Sequence, residues 1–234
     1  MTDQVMDIKT ELLKAALPHV AFDGWSEATL AEAAIDAGVS PEDAKAAYPN
    51  GGIGLAIAFH HAGDAAMLER LAATDLSEMR FRDRISAAVK FRIEAVDDKE
   101  AVRKGSALFA LPQNAAEGSK LIWGTCDAIW NALGDTSDDV NWYTKRATLS
   151  GVYASTVLYW LGDDTLDSSA TWEFLERRID NVMQIEKFKS SVRKNPLLSK
   201  LMAGPSKVMS GIRAPQSRTH REDLPGHWNP KDVS

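Results

Sequence analysis

The run from Trp142 to Leu161, W-Y-T-K-R-A-T-L-S-G-V-Y-A-S-T-V-L-Y-W-L, decides the fold class. Leu149, Val152, Tyr153, Thr156, Val157 and Trp160 recur at the i, i+3, i+4, i+7 spacing of one helix face. Ala147, Gly151 and Ser155 make a second stripe, small and four apart, where another helix backbone can approach. A helix that is apolar on nearly every side has to be buried. It cannot span a bilayer, because the uncharged run after Arg146 is about 15 residues long and a span takes ~20. The stretch therefore predicts the central helix of an all-α domain. Its aromatics, Tyr153, Tyr159 and Trp160, are large enough either to fill a core or to line a cavity.

Working outward, helical patterns fill the chain and no strand pattern interrupts them. Toward the N-terminus, Ile8, Leu12, Ala16 and Val20 mark one face of a helix over 4–22, with Pro18 placed to kink it. Ser26 caps a helix over 27–37 that Gly38 stops, and Ser40-Pro41 opens a third. Further helices are predicted over 53–74, 80–96, 98–110 and 114–133, the last with Trp123, Cys126 and Trp130. Beyond the central helix, Trp172, Leu175, Ile179 and Val182 form a narrow seam suited to pairing with another helix. The domain plan is a head over 1–50, a helical body over 51–190, an amphipathic helix over 191–213 and a disordered tail over 214–234.

At 234 residues and 44% apolar content, one domain with a full core is expected. The lone Cys126 cannot form an internal disulfide and reads as a buried thiol in a reducing compartment. The acidic start, with Asp3 and Asp7, lacks the pattern of a signal or transit peptide, so a cytoplasmic, bacterial protein is expected. Charge is divided unevenly. Nine basic residues and no acid lie between Lys187 and Arg221, so the rest of the chain carries −15 against −6 overall. An anionic partner suits the tail and not the body.

The apolar tail positions are Leu197, Leu198, Leu201, Met202, Val208, Met209 and Ile212, and a shift of 11 maps 197 to 208, 198 to 209 and 201 to 212, close to the period of a straight helix. Lys200 and Lys207 fall toward the wet side, the pattern of a helix lying in a membrane interface. Pro205 interrupts its apolar side.

The head has the layout of a helix-turn-helix: long helix, short helix, A-G-V-S turn, short helix. It resembles the head of TetR-type repressors, which makes a ligand-responsive transcriptional regulator the alternative reading. Its charge argues against nucleic acid. From Asp23 to Asn50 there are six acids and one base, Lys45, and such a patch is repelled by phosphates. His60 and Asp64 share a helix face, but no further ligand joins them, so no metal or other cofactor is expected. No nucleophile, phosphate-loop or metalloprotease motif is present, so no catalytic residue is assigned.

Two runs, W-Y-T-K-R-A-T-L-S-G-V-Y over 142–153 and T-W-E-F-L-E-R-R-I over 171–179, resemble the signatures of the Coq-nine family of ubiquinone-biosynthesis accessory proteins. The resemblance implies a TetR-like bundle of about nine helices plus an amphipathic tenth, without enzyme activity or DNA binding. It implies a homodimer that binds isoprenoid quinone precursors and phospholipid in an apolar cavity. It further implies work with a quinone-ring hydroxylase at a membrane surface, here the bacterial inner membrane. Trp142 and Tyr143 match the family's aromatic pair and are expected on the hydroxylase-facing surface. Trp123, Trp130, Tyr153, Val157 and Trp160 are the expected lipid-binding residues. Leu197, Leu198, Lys200, Leu201, Met202, Lys207, Val208, Met209 and Ile212 are the expected membrane-binding ones.

Overall fold

A computed structural model describes residues 2–96, 98–194 and 213–215, and the side chains among them outside 2–7 and 185–194. The described residues form nine α-helices and a 3-10 turn, without strands. The first three make the head: α1 (Thr2–Asp23), α2 (Glu27–Ala37) and α3 (Pro41–Ala47). Local chemistry sets their ends. The Ser26 hydroxyl accepts from the Thr29 amide at the start of α2, and Gly38 closes it at φ 64°, a left-handed turn that glycine takes without strain. The Ser40 hydroxyl accepts from the Asp43 amide and Pro41 opens α3. Pro18 lies inside α1, which runs on through it as one helix. The predicted face of α1 is the buried one: Leu12, Ala16 and Val20 are fully inaccessible and pack with Trp25, Leu30 and Tyr48.

The body follows as α4 (Gly51–Ala73), α5 (Phe81–Glu94), α6 (Lys99–Ala110), α7 (Ala115–Ala132), α8 (Val140–Leu161) and α9 (Ser169–Lys194). Helix α4 belongs to both cores. Its first half, with Leu55 and Ala56, completes the head core, and its second half, with Met67 and Leu71, joins the body core of α5, α7, α8 and α9. Gly52 makes the junction possible: a Cβ there would lie 2.4 Å from the backbone of Trp25 and Ser26.

Helix α8 is not buried on all sides. Leu149, Val152, Tyr153, Thr156 and Trp160 are buried, as their spacing predicts, but Leu158 is 66% exposed and Tyr159 39%. The small stripe is not used for close packing, because Gly151 is exposed and nothing lies within 4 Å of a Cβ built there. Small side chains here follow from an outward face, where size is unconstrained from within the chain. The α9 seam is occupied within the chain: Leu175 and Ile179 are buried in the body core, and α9 packs on α5 and α8.

No described helix is long and apolar enough to cross a membrane. The expected amphipathic helix over 191–213 starts within α9, to which 191–194 belong, and its membrane-binding residues, Leu197 through Ile212, lie outside the described residues, as does most of the tail.

A candidate lipid cavity and an aromatic surface cluster

Where the two cores meet, the helices leave a cavity of about 350 Å³ with mostly apolar walls. Trp25, Ala56 and Phe59 contribute from the head side, Ile93 from α5, and Tyr153, Val157 and Trp160 from α8. The reason these residues converge is geometric. Tyr153, Val157 and Trp160 recur on one face of α8, and α6 crosses in front of them. Helix α6 is tied there by Lys99 Nζ, which donates to the Asp163 carbonyl at 2.7 Å, and by Arg103 Nη2, which donates to the Leu161 carbonyl at 2.8 Å. The mouth is rimmed by exposed residues at the end of α6, the start of α7 and the outer side of α8: Ala110, Ala115, Ser119 and Leu158.

The inner wall is not wholly apolar. Arg92 of α5, 4% exposed, donates from Nε to Asp64 Oδ1 of α4 at 2.6 Å and from Nη2 to the His60 carbonyl at 3.0 Å. Thr125 Oγ1 of α7 donates to the same Asp64 oxygen at 2.8 Å and lies 2.8 Å from His60 Nε2, which the network therefore assigns as the N–H donor. Burial first, then the Arg92 charge, lowers the His60 pKa to about 4, so the ring is neutral near pH 7. His60 is thus a structural donor in a polar knot. No group of three His, Cys, Asp or Glu side chains that could hold a metal occurs among the described residues. Burial pushes the Cys126 thiol up to about 12, which makes it an unreactive core residue.

A second cluster stands at the start of α8. The rings of Trp142 and Tyr143 meet edge to face at 4.8 Å, and Trp123 of α7 joins them at 5.8 and 6.4 Å. All three are half-buried. Below them Arg146 is wholly inaccessible, with its guanidinium 4.0 Å from the Trp142 ring centroid. It donates to Asp127, Asn131 and Asp135, and so binds the end of α7 and the following loop to α8. The Tyr143 hydroxyl donates to the Arg213 carbonyl at 3.3 Å, and the Ala214 amide donates to the Asp138 carbonyl at 2.9 Å. Residues 213–215 therefore return to the edge of this cluster.

Of the five residues expected together in a lipid site, Tyr153, Val157 and Trp160 line the cavity and Trp123 and Trp130 do not. The 3.6-residue period explains the split. Trp123 and Trp130 lie off the Gly118–Leu121–Ile122 face of α7 that meets the cavity, so Trp123 stacks on the Trp142 cluster. Trp130 lies under Lys145 Nζ, 5.1 Å from its ring centroid, beside Phe81. Arg92, Trp25 and Phe59 were absent from the sequence reading. A lone Arg within an otherwise apolar heptad of α5, Ile85, Val89, Arg92, Ile93, was the signal that marked the first.

Comparison with known proteins shows what this chain is similar to. The COQ9 family model matches residues 115–186, which span α7, α8 and much of α9. The chain is 32% identical over 187 residues to the mitochondrial ubiquinone biosynthesis protein COQ9 of Xenopus tropicalis, covering 75% of this chain and 58% of that protein. It is 28% identical over 189 residues to the Homo sapiens COQ9, covering 76% and 58%. A probable coq9 of Dictyostelium discoideum is 27% identical over 195 residues, covering 80% and 63%. The chain thus spans about six tenths of the length of these relatives. Each is named a mitochondrial protein, which overturns the expectation of a cytoplasmic protein on a bacterial inner membrane. Among solved structures, a TetR transcriptional regulator from Nitrosomonas europaea matches with a TM-score of 0.62 at 18% identity, covering 74% of this chain and 97% of that one. That likeness shows the fold and nothing about DNA. Family match, relatives and fold agree with the two signature runs: the chain is a homologue of the COQ9 proteins, built on a TetR-like fold.

Proposed function

We propose that the protein serves ubiquinone biosynthesis as a lipid-binding accessory protein without catalytic activity. It takes an isoprenoid quinone precursor out of the membrane and hands it to a ring hydroxylase. The observation that carries this reading is the apolar cavity between the two cores, walled in part by the α7–α8 segment inside the family match. A prenylated ring is rejected by water, and each methylene buried gains about 0.8 kcal/mol. Extraction from a bilayer is feasible when a protein cavity of the same polarity replaces the lipid. Phospholipid can occupy the same walls when no precursor is present.

In this reading the Trp123–Trp142–Tyr143 cluster is the hydroxylase-facing surface, and the segment over 191–213 rests on the membrane. The outward face of α8 at Tyr159, whose ring stacks on Phe174 at 4.5 Å, is the surface that a second copy covers in a homodimer. Loss of the gene should lower ubiquinone and accumulate a precursor lacking a ring oxygen. Normal ubiquinone without such a precursor would overturn the reading.

The TetR-like fold favours one other reading, a ligand-responsive regulator. The head opposes it, since α3 carries Glu42 and Asp43 against Lys45 and presents no basic face to a duplex. Retardation of genomic fragments by the purified protein would support the regulator instead.

A further inference from the structure

The inner wall of the cavity holds two hydrogen-bond donors that the fold leaves without acceptors. Tyr153 is 5% exposed and lines the cavity, and its hydroxyl makes no hydrogen bond among the described residues. Tyr48, by contrast, donates to the Lys9 carbonyl. Arg92 uses Nε on Asp64 and Nη2 on the His60 carbonyl, and its Nη1 has no acceptor among the described residues. The two lie together, with the guanidinium 5.9 Å from the Tyr153 ring centroid. Neither atom is sealed off within the protein, so each is open to an oxygen that enters the cavity their residues line.

The charge balance says what kind of acceptor. Asp64 neutralises Arg92, and His60 is neutral, so the inner end carries no net charge. An anionic head would find no spare cation, because Asp64 already pairs with Arg92. Tyr153 is held as a phenol, since burial pushes its pKa up to about 12, and so it offers an O–H donor. Volume adds a limit. About 350 Å³ is at the lower end of small-molecule sites, enough for a ring and the first part of its chain. The mouth at Ala110, Ala115, Ser119 and Leu158 is mostly apolar and exposed, so the remainder of the chain has a way out.

We propose that Tyr153 Oη and Arg92 Nη1 form a subsite for an uncharged carbonyl or hydroxyl oxygen on the ring of a prenylated ligand, which enters ring first with its chain trailing through the mouth. The proposal rests on the lipid-carrying reading and names the ligand's polar determinant and its orientation. It makes Tyr153 and Arg92 specificity-determining residues for an oxygenated ring over a plain hydrocarbon and over an anionic head.

The test is calorimetric titration of the delipidated full chain with a short-chain prenylated benzoquinone, with the matching prenyl hydrocarbon lacking a ring oxygen, and with a fatty acid of similar length. The wild-type protein should prefer the quinone to both by tenfold or more. Tyr153→Phe, which removes one oxygen and no existing hydrogen bond, should weaken the quinone roughly tenfold, the scale of one hydrogen bond. The same change should leave the hydrocarbon within twofold. Lengthening the quinone's chain beyond two or three isoprene units should change affinity less than threefold. Equal binding of all three ligands, or an unchanged quinone affinity in Tyr153→Phe, would overturn the subsite while leaving a lipid cavity in place. Binding of none by the wild-type protein would overturn the lipid-carrying reading itself.

Discussion

Arg146 and Asp135 are paired in the protein interior: the wholly buried guanidinium donates from Nη1 to Asp135 Oδ2 at 3.0 Å, and the Asp135 side chain is 2% exposed. The same guanidinium reaches Asp127 and Asn131 and lies against the Trp142 ring. One charge therefore fixes the end of α7, the loop after it and the aromatic pair that opens α8. Lys145 approaches Asp135 from the opposite side, with Nζ 2.7 Å from Oδ1.

Removing Arg146 should leave two carboxylates short of their partner, one of them buried. Breaking a buried pair from one side costs about 3–5 kcal/mol. Arg146→Met should lower stability by that amount in urea unfolding, and adding Asp135→Leu should recover part of it. A single-variant loss below about 1 kcal/mol would show that the network contributes little.

Stability should fall in acid in two separate windows. His60 has a folded pKa lowered from 6.5 to about 4 by burial and then by Arg92, so the fold favours its neutral form. That stabilisation is complete above pH 6.5 and is lost as pH falls through 4. It amounts to about 3 kcal/mol at most. For Asp135, burial alone would raise the pKa. Hydrogen bonds from Lys145, Ser137 and Arg146 outweigh it and hold the carboxyl at about 2. Its contribution is present above pH 3.8 and is lost as pH falls through 2. Urea unfolding between pH 7 and 4 should show the first loss in the wild-type protein and a flatter profile in His60→Gln.

The junction of head and body should be sensitive to one methyl group. In Gly52→Ala the new Cβ would meet backbone atoms of Trp25 and Ser26 at 2.4 Å, and backbone cannot rotate away. A loss of about 3 kcal/mol, the upper end for overpacking, is expected in thermal or urea unfolding. Gly151→Ala, with open space around it, should change stability by less than about 0.5 kcal/mol.

The proposed partner surface can be separated from the fold. Trp142 and Tyr143 are half-buried and outside the body core, so replacing both by Ala should leave helicity and cooperative unfolding intact. Co-purification with the ring hydroxylase should drop by at least tenfold. Unchanged co-purification would move the partner surface elsewhere.

The proposed membrane segment follows every described residue of the two cores in the chain. Truncation before Pro196 should abolish flotation with vesicles containing anionic phospholipid, where each Lys or Arg near the surface contributes about 1 kcal/mol. Flotation equal to that of the full chain would remove the segment from the membrane.

Periodicity carried the fold. The Leu149–Trp160 stripe of α8 and the Leu12–Val20 face of α1 are buried as their spacings require, and caps such as Ser26 and Ser40 set the helix starts. Spacing reports which residues share a face but not what that face meets. Trp123 and Trp130 are expected beside Tyr153 in the lipid site, yet helix rotation turns them away from the cavity. The small stripe through Gly151 looked like a packing seam and is an outward surface. The Asp64–Arg92 pair joins residues 28 apart on different helices, and local pattern carries no trace of that contact.

The central claim is that the cavity holds a prenylated lipid. The most direct measurement is solvent extraction of the gently purified full chain, followed by mass spectrometry of what is released. The account predicts a prenylated ring compound, or a phospholipid in its place, at close to one molecule per chain. Protein that yields no lipid, and takes none up from vesicles containing a prenylated quinone, would contradict it.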